Sequence, residues 1–238
     1  MDNPSQEVKL TTQTQGARAW RGPLAVFVDY DGTITDLDTF DVLVRESADP
    51  GEWDRLEEQL HAREMSLRDV LAAQAKLIHS SLDDADDLLA GSTTFDPTFA
   101  GFVRRCAQER AALTVLSSGI GPLIERAFER NGLQGVSLLA NGISPSPTGW
   151  VMNFRDASDN GHDKAQVVKF ARRIGSTSVY IGDGYSDFDA ALVADIRFAK
   201  RGRSLERHLT ALREPFSAFD RFSDIEAHLF SGTPPARA

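Results

Sequence analysis

Short apolar runs alternate along the chain with longer segments in which apolar residues recur at helical spacing. The runs of strand length lie at 24–28, 111–116, 136–139 and 178–181, with a weaker one at 196–199. A continuous apolar run is typical of a strand buried on both faces of a parallel sheet. The helical patterns between them lie near 97–110, 122–131, 163–174 and 187–195. This alternation predicts βαβ units, and therefore an α/β fold with a Rossmann-like parallel sheet.

Residues 36–94 interrupt this alternation. They contain no convincing strand and predict three or four helices, one of them over 66–81, where Ser66-Leu-Arg-Asp69 has the character of a capping box. We therefore predict a small helical cap over 36–94, inserted after the first strand. The α/β core is expected over 21–35 plus 95–230, with polar tails at 1–20 and 231–238.

The amino-acid composition limits the classes of partner that the protein is expected to bind. The 238 residues carry 26 Lys and Arg against 35 Asp and Glu, a formal net charge of −9, which argues against a nucleic-acid partner. The single cysteine excludes an internal disulfide framework and suits a reducing compartment. The first twenty residues lack the pattern of a secretory signal, and every apolar run is far shorter than the roughly 20 residues that span a bilayer. We expect a cytoplasmic protein without a membrane partner; the oligomeric state stays open.

The negative charge is concentrated where predicted strands end. Asp29 follows the first apolar run directly, and Asp31 lies two residues later, before Gly32. Open α/β sheets bind ligands at the carboxyl ends of their strands, and paired carboxylates repel each other unless a cation joins them. Oxygen ligands of this kind suit Mg²⁺. Considered alone, the pair is explained equally well by aspartates that form a turn.

A second strand ends in the same way, and this favours a metal site. Tyr180-Ile-Gly-Asp-Gly-Tyr-Ser-Asp187 places Asp183 between two glycines at the end of an apolar run, with Asp187 four residues later. Two parallel strands that both end in aspartate bring their carboxylates to one sheet edge. A cation site of the Mg²⁺ type follows.

Two weaker signals accompany these aspartates. Ser117 lies where the strand near 111–116 leads into hydroxyls and a glycine, a turn that offers donors to a phosphoryl oxygen. Lys164 lies at the start of a predicted helix, where a lysine is most often a solvated charge. His162 beside it is predicted to be a loop residue and not a base.

In this order, the four segments closely resemble the motifs of the haloacid dehalogenase superfamily of phosphotransferases. Asp29-Tyr-Asp-Gly-Thr33 is similar to its first motif, Ser117 to the second, Lys164 to the third and Gly182–Asp187 to the fourth. A cap inserted after the first motif resembles the phosphoserine phosphatase branch. The form of the fourth motif and the segment 194–200 resemble the MtnX-type phosphatases, which act on small phosphorylated metabolites, including a methionine-salvage intermediate.

The resemblance implies hydrolysis of a phosphomonoester through an aspartyl-phosphate. Asp29 is then the nucleophile, and Asp31 the acid that protonates the leaving oxygen and later activates water. Mg²⁺ is expected on Asp29, the main-chain carbonyl of Asp31 and Asp183, with Asp187 either a direct ligand or behind the ligands. The phosphoryl oxygens are expected on Ser117, Lys164 and main-chain N–H groups near Gly32. Asp38 matches the cap position that binds the substrate amino group in phosphoserine phosphatases.

Other functions compete with this interpretation. A receiver-like signalling module also uses a phosphorylated aspartate, a hydroxyl and a lysine, but Asp31 and the insert at 36–94 speak against it. A dehalogenase does not need the acid at Asp31, so that residue favours phosphoryl chemistry. A phosphomutase or another phosphotransferase stays open, because an aspartyl-phosphate can pass to an alcohol instead of water.

Overall fold

A computed structural model describes residues 22–230 as a seven-stranded sheet with helices on both faces. The tails predicted at 1–20 and 231–238, and the first residue of the predicted core, lie outside the described residues. The strands are β1 Leu24–Val28, β2 Ala112–Ile120, β3 Ser137–Ser144, β4 Val151–Asn153, β5 Thr177–Gly182, β6 Ile196–Lys200 and β7 Ser217–Phe219. Their order is β4-β3-β2-β1-β5-β6-β7, and every neighbouring pair is parallel except β3 and β4.

Helices connect the strands. They are α1 Thr39–Ser47, α2 Pro50–His61, α3 Leu67–Ala75, α4 Leu82–Ser92, α5 Phe99–Gln108, α6 Gly121–Arg130, α7 Lys164–Arg173, α8 Phe188–Val193, α9 Ser204–Leu212 and α10 Phe222–Phe230. A single 3₁₀ turn, Tyr185–Asp187, precedes α8. The α/β class and the mostly parallel sheet predicted from the apolar runs are confirmed.

Strand β1 lies at the centre of the sheet, and its side chains alternate between two apolar layers. Val26 and Val28 pack into the layer that contains Phe102 and Phe222 of α5 and α10. Ala25 and Phe27 pack into the layer formed with α7, α8 and α9. All five residues of β1 are buried, as a strand covered on both faces requires. The end of β1 is therefore held rigidly at the carboxyl edge of the sheet.

The structure changes several predicted boundaries. Strand β2 continues to Ile120 instead of ending near 116, so Ser117 lies within a strand. The helix predicted over 66–81 ends at Ala75, because the Trp150 N–H donates to the carbonyls of Ala75 and Ile78. Strands β4 and β7, three residues each, were too short to produce an apolar run, and α9 and α10 were not predicted.

Four helices, α1–α4, lie between β1 and α5 as a cap over the carboxyl edge. The two connections to the core pair with each other, since Asp36 N–H donates to the Thr94 carbonyl at 3.0 Å and Thr94 N–H donates to Asp36 Oδ1 at 2.7 Å. The apolar centre of the cap, which includes Phe40 and Leu71, continues into Trp150 and Ile120 of the core. None of the described helices is long and apolar enough to cross a membrane.

Candidate active site

The two strands that end in aspartate meet as the sequence predicts. β1 and β5 are parallel neighbours, and carboxylate oxygens of Asp29, Asp183 and Asp187 lie within 4.8 Å of one another. The Thr33 hydroxyl lies between two of them, 3.4 Å from Asp29 Oδ2 and 3.3 Å from Asp183 Oδ1. The cluster is thus assembled from the first and fourth motifs at one sheet edge.

Lys164 is buried inside this cluster and is not a solvated charge. Its Nζ donates to Asp29 Oδ1 at 2.5 Å, to Asp187 Oδ1 at 2.8 Å and to Ser186 Oγ at 2.9 Å, which uses all three protons. Burial alone lowers the pKa of a lysine, but the carboxylates of Asp187 and Asp29 outweigh it and raise the pKa of Lys164. Lys164 therefore stays protonated.

Asp187 is fully engaged by the protein. Its Oδ1 accepts from the Tyr180 hydroxyl at 2.7 Å as well as from Lys164, and its Oδ2 accepts from the N–H groups of Asp183 and Gly184, each at 2.9 Å. The side chain is completely buried. Four donors satisfy both oxygens, so Asp187 orients Lys164 and the Asp183 main chain.

Asp29 and Asp183 have carboxylate lone pairs that are free to bind a metal ion. Apart from Thr33, no described donor reaches Asp29 Oδ2 or the Asp183 carboxylate. Burial, and then the Asp187 charge, raise the pKa of Asp183 to about 7. The same two causes raise the pKa of Asp29 well above its ordinary value, although the positive charge of Lys164 opposes this shift. Buried, mutually repelling carboxylate oxygens fit a hard divalent cation, which would restore their ionised forms.

Asp31 is held apart from the cluster by the turn at Gly32. This glycine has φ +72°, and a Cβ there would overlap the Asp183 carboxylate. Asp31 Oδ1 accepts from the N–H of Thr39 at 2.8 Å and from its hydroxyl at 2.5 Å. Burial, and then the Asp38 charge, raise the pKa of Asp31 to about 7 against these hydrogen bonds. Asp31 is thus suited to exchange a proton near neutral pH.

Ser117 lies beneath Asp31 and is completely buried. Its hydroxyl donates to Asp31 Oδ2 at 3.4 Å and accepts from Gly119 N–H at 2.9 Å. Its carbonyl accepts from His162 Nδ1 at 3.0 Å, and the Ser118 carbonyl accepts from Asn141 Nδ2 at 2.8 Å. The β2–β3 pairing shifts register between Leu116 and Ile120, so these side chains replace sheet hydrogen bonds.

His162 lies in the loop before α7, as predicted, and its ring is buried there. Burial lowers its pKa to about 4, so the ring is neutral at physiological pH. Thr39, Asn141, Tyr180 and Ser186 also support the site and were missed by sequence reasoning. Each makes its contact through a residue distant in the chain or across a turn, and no local spacing marks it.

Asp38 has a structural role that the sequence does not predict. Its carboxylate caps α1, accepting from the N–H groups of Phe40 at 2.9 Å and Asp41 at 3.1 Å. It also lines a cavity of about 220 Å³ that contains Asp29, Asp31 and Asp183. Glu57, Gln74, Ser118 and Arg203 line the same cavity, and sequence reasoning identified none of them.

Comparisons with known proteins agree with this geometry. The family model of haloacid dehalogenase-like hydrolases matches residues 26–192. The chain is 32% identical to the Pdp3-interacting factor 1 of Schizosaccharomyces pombe, over 89% of this chain and 96% of that protein. It is 30% identical to a 2-hydroxy-3-keto-5-methylthiopentenyl-1-phosphate phosphatase of Brevibacillus brevis, over 85% and 93%.

The fold is similar to that of solved phosphatases. A substrate-bound phosphoserine phosphatase superimposes with a TM-score of 0.69 at 15% identity, covering 87% of this chain and 99% of that one. The family model spans both aspartate-tipped strands and the cap between them. The chain therefore belongs to the haloacid dehalogenase-like hydrolases.

Proposed function

We propose that this enzyme is a Mg²⁺-dependent phosphatase that hydrolyses a small phosphorylated metabolite through an aspartyl-phosphate. The observation that carries the proposal is the pairing in one cavity of Asp29, whose Oδ2 accepts only one long hydrogen bond, with Asp31, whose pKa is about 7. One carboxylate is available to attack phosphorus while the other can hold a proton. The methylthiopentenyl-phosphate relative supports a small phosphorylated substrate.

The first half of the reaction uses both carboxylates. A carboxylate oxygen of Asp29 attacks phosphorus, the bond between phosphorus and the leaving oxygen breaks, and the Asp31 carboxyl gives its proton to that oxygen. Lys164 holds Asp29 Oδ1 and so orients the attacking carboxylate. The products are the free alcohol and an aspartyl-phosphate.

The second half reverses the role of Asp31. Its carboxylate takes a proton from water, the water oxygen attacks phosphorus, and the bond to Asp29 breaks to release inorganic phosphate. A pKa near 7 serves both steps, because the group gains and loses its proton at similar cost. Thr39 keeps the carboxyl in place through two hydrogen bonds.

The remaining site residues neutralise and orient the phosphoryl group. Asp29, Asp183 and the Asp31 carbonyl would hold the Mg²⁺, with Asp187 behind them. When bound, the ion supplies positive charge that offsets the repulsion between an anionic nucleophile and an anionic phosphate. Lys164, the Ser117 hydroxyl and main-chain N–H groups around Gly32 would bind the other phosphoryl oxygens. The Ser186 contact of Lys164 is its one neutral partner and the easiest to exchange.

The test is an Asp29→Asn variant assayed for phosphate release from p-nitrophenyl phosphate with Mg²⁺. We expect a loss of more than about a thousandfold, because an amide cannot form the covalent intermediate. Circular dichroism should show an unchanged fold, and EDTA should abolish wild-type turnover. Wild-type rates in the variant would contradict the proposal. Consumption of substrate without equal phosphate release would indicate transfer to an alcohol instead.

A further inference from the structure

The cavity that contains the site has a second wall, formed by the cap. One end is formed by Asp29, Asp31 and Asp183, where the phosphoryl group is proposed to bind. Much of the remaining lining consists of cap side chains, namely Asp38, Phe40, Asp41, Glu57, Leu60, Leu67, Leu71 and Gln74. A volume of about 220 Å³ leaves room for a small leaving group. The cap wall therefore faces whatever the phosphate is attached to.

The charge of this wall disfavours a second anionic group on the substrate. Asp38, Asp41 and Glu57 contribute carboxylates, and Arg203 is the one cation among the described residues that line the cavity. Arg203 donates to the Asp36 carbonyl at 2.8 Å, and its charge acts on Asp183 at the phosphoryl end. A leaving group with a carboxylate would meet like charges, a common means of excluding wrong ligands.

Gln74 holds the Glu57 carboxylate, a hydrogen-bond acceptor, in a fixed position on the cap wall. Gln74 is 2% exposed, and its Nε2 donates to Glu57 Oε1 at 3.2 Å, which fixes the carboxylate of α2 against α3. Glu57 Oε2 accepts no hydrogen bond from another described side chain. Leu60 and Leu71 flank the pair in the cavity and reduce its access to water. A substrate hydroxyl that donates to Glu57 would complete this arrangement.

Ser118 provides a second polar group in the cavity wall whose hydrogen-bonding capacity no described residue uses. The residue is 8% exposed and lines the cavity, yet its buried Oγ has no hydrogen-bond partner. Leaving such a hydroxyl without a hydrogen bond costs about 1–3 kcal/mol, so a substrate group that bonds to it would gain affinity. Its neighbours place it beside Asp31: the Ser117 hydroxyl donates to Asp31, and a Cβ on Gly119 would lie 2.6 Å from Asp31 Oδ2.

We infer that the enzyme selects phosphomonoesters whose leaving group carries hydroxyl groups and no second anionic group, with Glu57 and Ser118 as specificity-determining residues. Gln74 is a positioning residue that acts through Glu57. The inference rests on the proposed phosphatase function and adds the chemical class of the leaving group. It also separates two substrate types, since a phosphorylated amino acid carries a carboxylate that this wall disfavours.

The wild-type enzyme tests the inference without any substitution. Glycerol 3-phosphate and 3-phosphoglycerate share a skeleton and differ in a hydroxymethyl group against a carboxylate, while propyl phosphate lacks the hydroxyls. We expect kcat/KM with Mg²⁺ for glycerol 3-phosphate to exceed both others at least about tenfold, a difference of about 1.4 kcal/mol.

Two variants then assign the selectivity to residues. Glu57→Gln should reduce the preference for glycerol 3-phosphate over 3-phosphoglycerate at least about fivefold, because it removes the repelling charge. Glu58→Gln, on the exposed face of the same helix, should keep the wild-type preference. Ser118→Ala should reduce the preference for glycerol 3-phosphate over propyl phosphate by a similar factor.

Two results would overturn the inference while leaving the proposed function in place. They are equal or better turnover of 3-phosphoglycerate, and unchanged substrate ratios in both Glu57→Gln and Ser118→Ala. Absence of phosphate release from every substrate, p-nitrophenyl phosphate included, is a different result. It would overturn the proposed function and the inference with it.

Discussion

At the scale of single residues, Gly32 separates the two aspartates of the first motif. Its positive φ turns the chain between Asp31 and Thr33, and its missing side chain leaves room for the Asp183 carboxylate. Both properties follow from the absence of a Cβ. The tight approach of the two aspartate-tipped strands depends on this position.

Comparing Gly32→Ala with Gly132→Ala separates the effect of the positive φ from the effect of the missing side chain. Gly132 has a similar φ of +67° but nothing within 4 Å of its Cβ position. We expect both variants to lose on the order of 1 kcal/mol from backbone strain. Only Gly32→Ala should lose phosphatase activity, by more than about tenfold, because it displaces Asp183. Thermal unfolding and steady-state kinetics measure both effects, and equal activities would contradict the steric argument.

Asp187 shows how a buried carboxylate can be required as an acceptor only. In Asp187→Asn, one amide N–H₂ must face two donors, either the N–H groups of Asp183 and Gly184 or the side chains of Tyr180 and Lys164. We expect a loss of about 2–4 kcal/mol in the free energy of unfolding. The exposed Asp189→Asn should change it by less than about 0.5 kcal/mol. Urea unfolding of the two variants provides the comparison.

At the scale of elements, the end of β2 depends on side chains from two other segments. The shifted register leaves the carbonyls of Ser117 and Ser118 to His162 and Asn141. Asn141 also accepts from Arg155 N–H at 2.9 Å, so it ties β2 to the loop that leads into α7. Ser117 and Lys164 are thereby held relative to each other by hydrogen bonds outside the sheet.

The burial of His162 predicts a pH dependence of stability. Its pKa is about 4 in the folded protein and about 6.5 when unfolded, so the unfolded chain binds more protons between these values. Its contribution is therefore complete above pH 6.5, is lost as the pH falls towards 4, and amounts to on the order of 3 kcal/mol. Asn at this position keeps a donor for the Ser117 carbonyl without titrating. The difference in unfolding free energy between wild type and His162→Asn should change across this window, and a constant difference would contradict the assignment.

At the scale of the whole molecule, the net charge of −9 hides an uneven distribution. At the sheet edge, Asp29 and Asp187 pair with Lys164, and Asp31 and Asp183 lie nearby. Asp38, Asp41 and Glu57 of the cap line the same cavity. Burial of so many carboxylates in one cavity favours protonation unless a cation is bound. Metal binding and proton binding should therefore compete.

This competition predicts that stabilisation by Mg²⁺ increases with pH. Asp183 has a pKa of about 7 in the metal-free protein, so its carboxyl is largely protonated at pH 5.5 and must lose the proton to bind the ion. Burial shifts the pKa of Asp29 in the same direction. We expect the affinity for Mg²⁺ to fall at least about tenfold between pH 8 and pH 5.5. The rise in melting temperature at fixed Mg²⁺ should shrink accordingly. An equal rise at both pH values would argue against these two ligands, and Asp183→Asn should remove most of the effect.

The local pattern of the sequence determined the sheet, the position of the cap and the aspartates at the strand ends. These features depend on neighbouring residues in the chain. A strand that is buried on both faces requires a continuous apolar run, and a site at the carboxyl edge requires polar residues directly after that run. Short elements such as β4 and β7 carry too few residues to show such a pattern. The end of α3 was misplaced because its terminator, Trp150, lies far away in the sequence.

Only the tertiary structure decided how the site residues are used. Asp187 became an acceptor for four donors, Lys164 a buried cation, and His162 the partner of a strand carbonyl, because each contact joins segments distant in the chain. The same holds for Glu57, Gln74 and Ser118, which reach one cavity from the cap and from the core. Contacts of this kind produce no regular spacing of residues in the sequence, since they depend on the register of strands and the packing of helices.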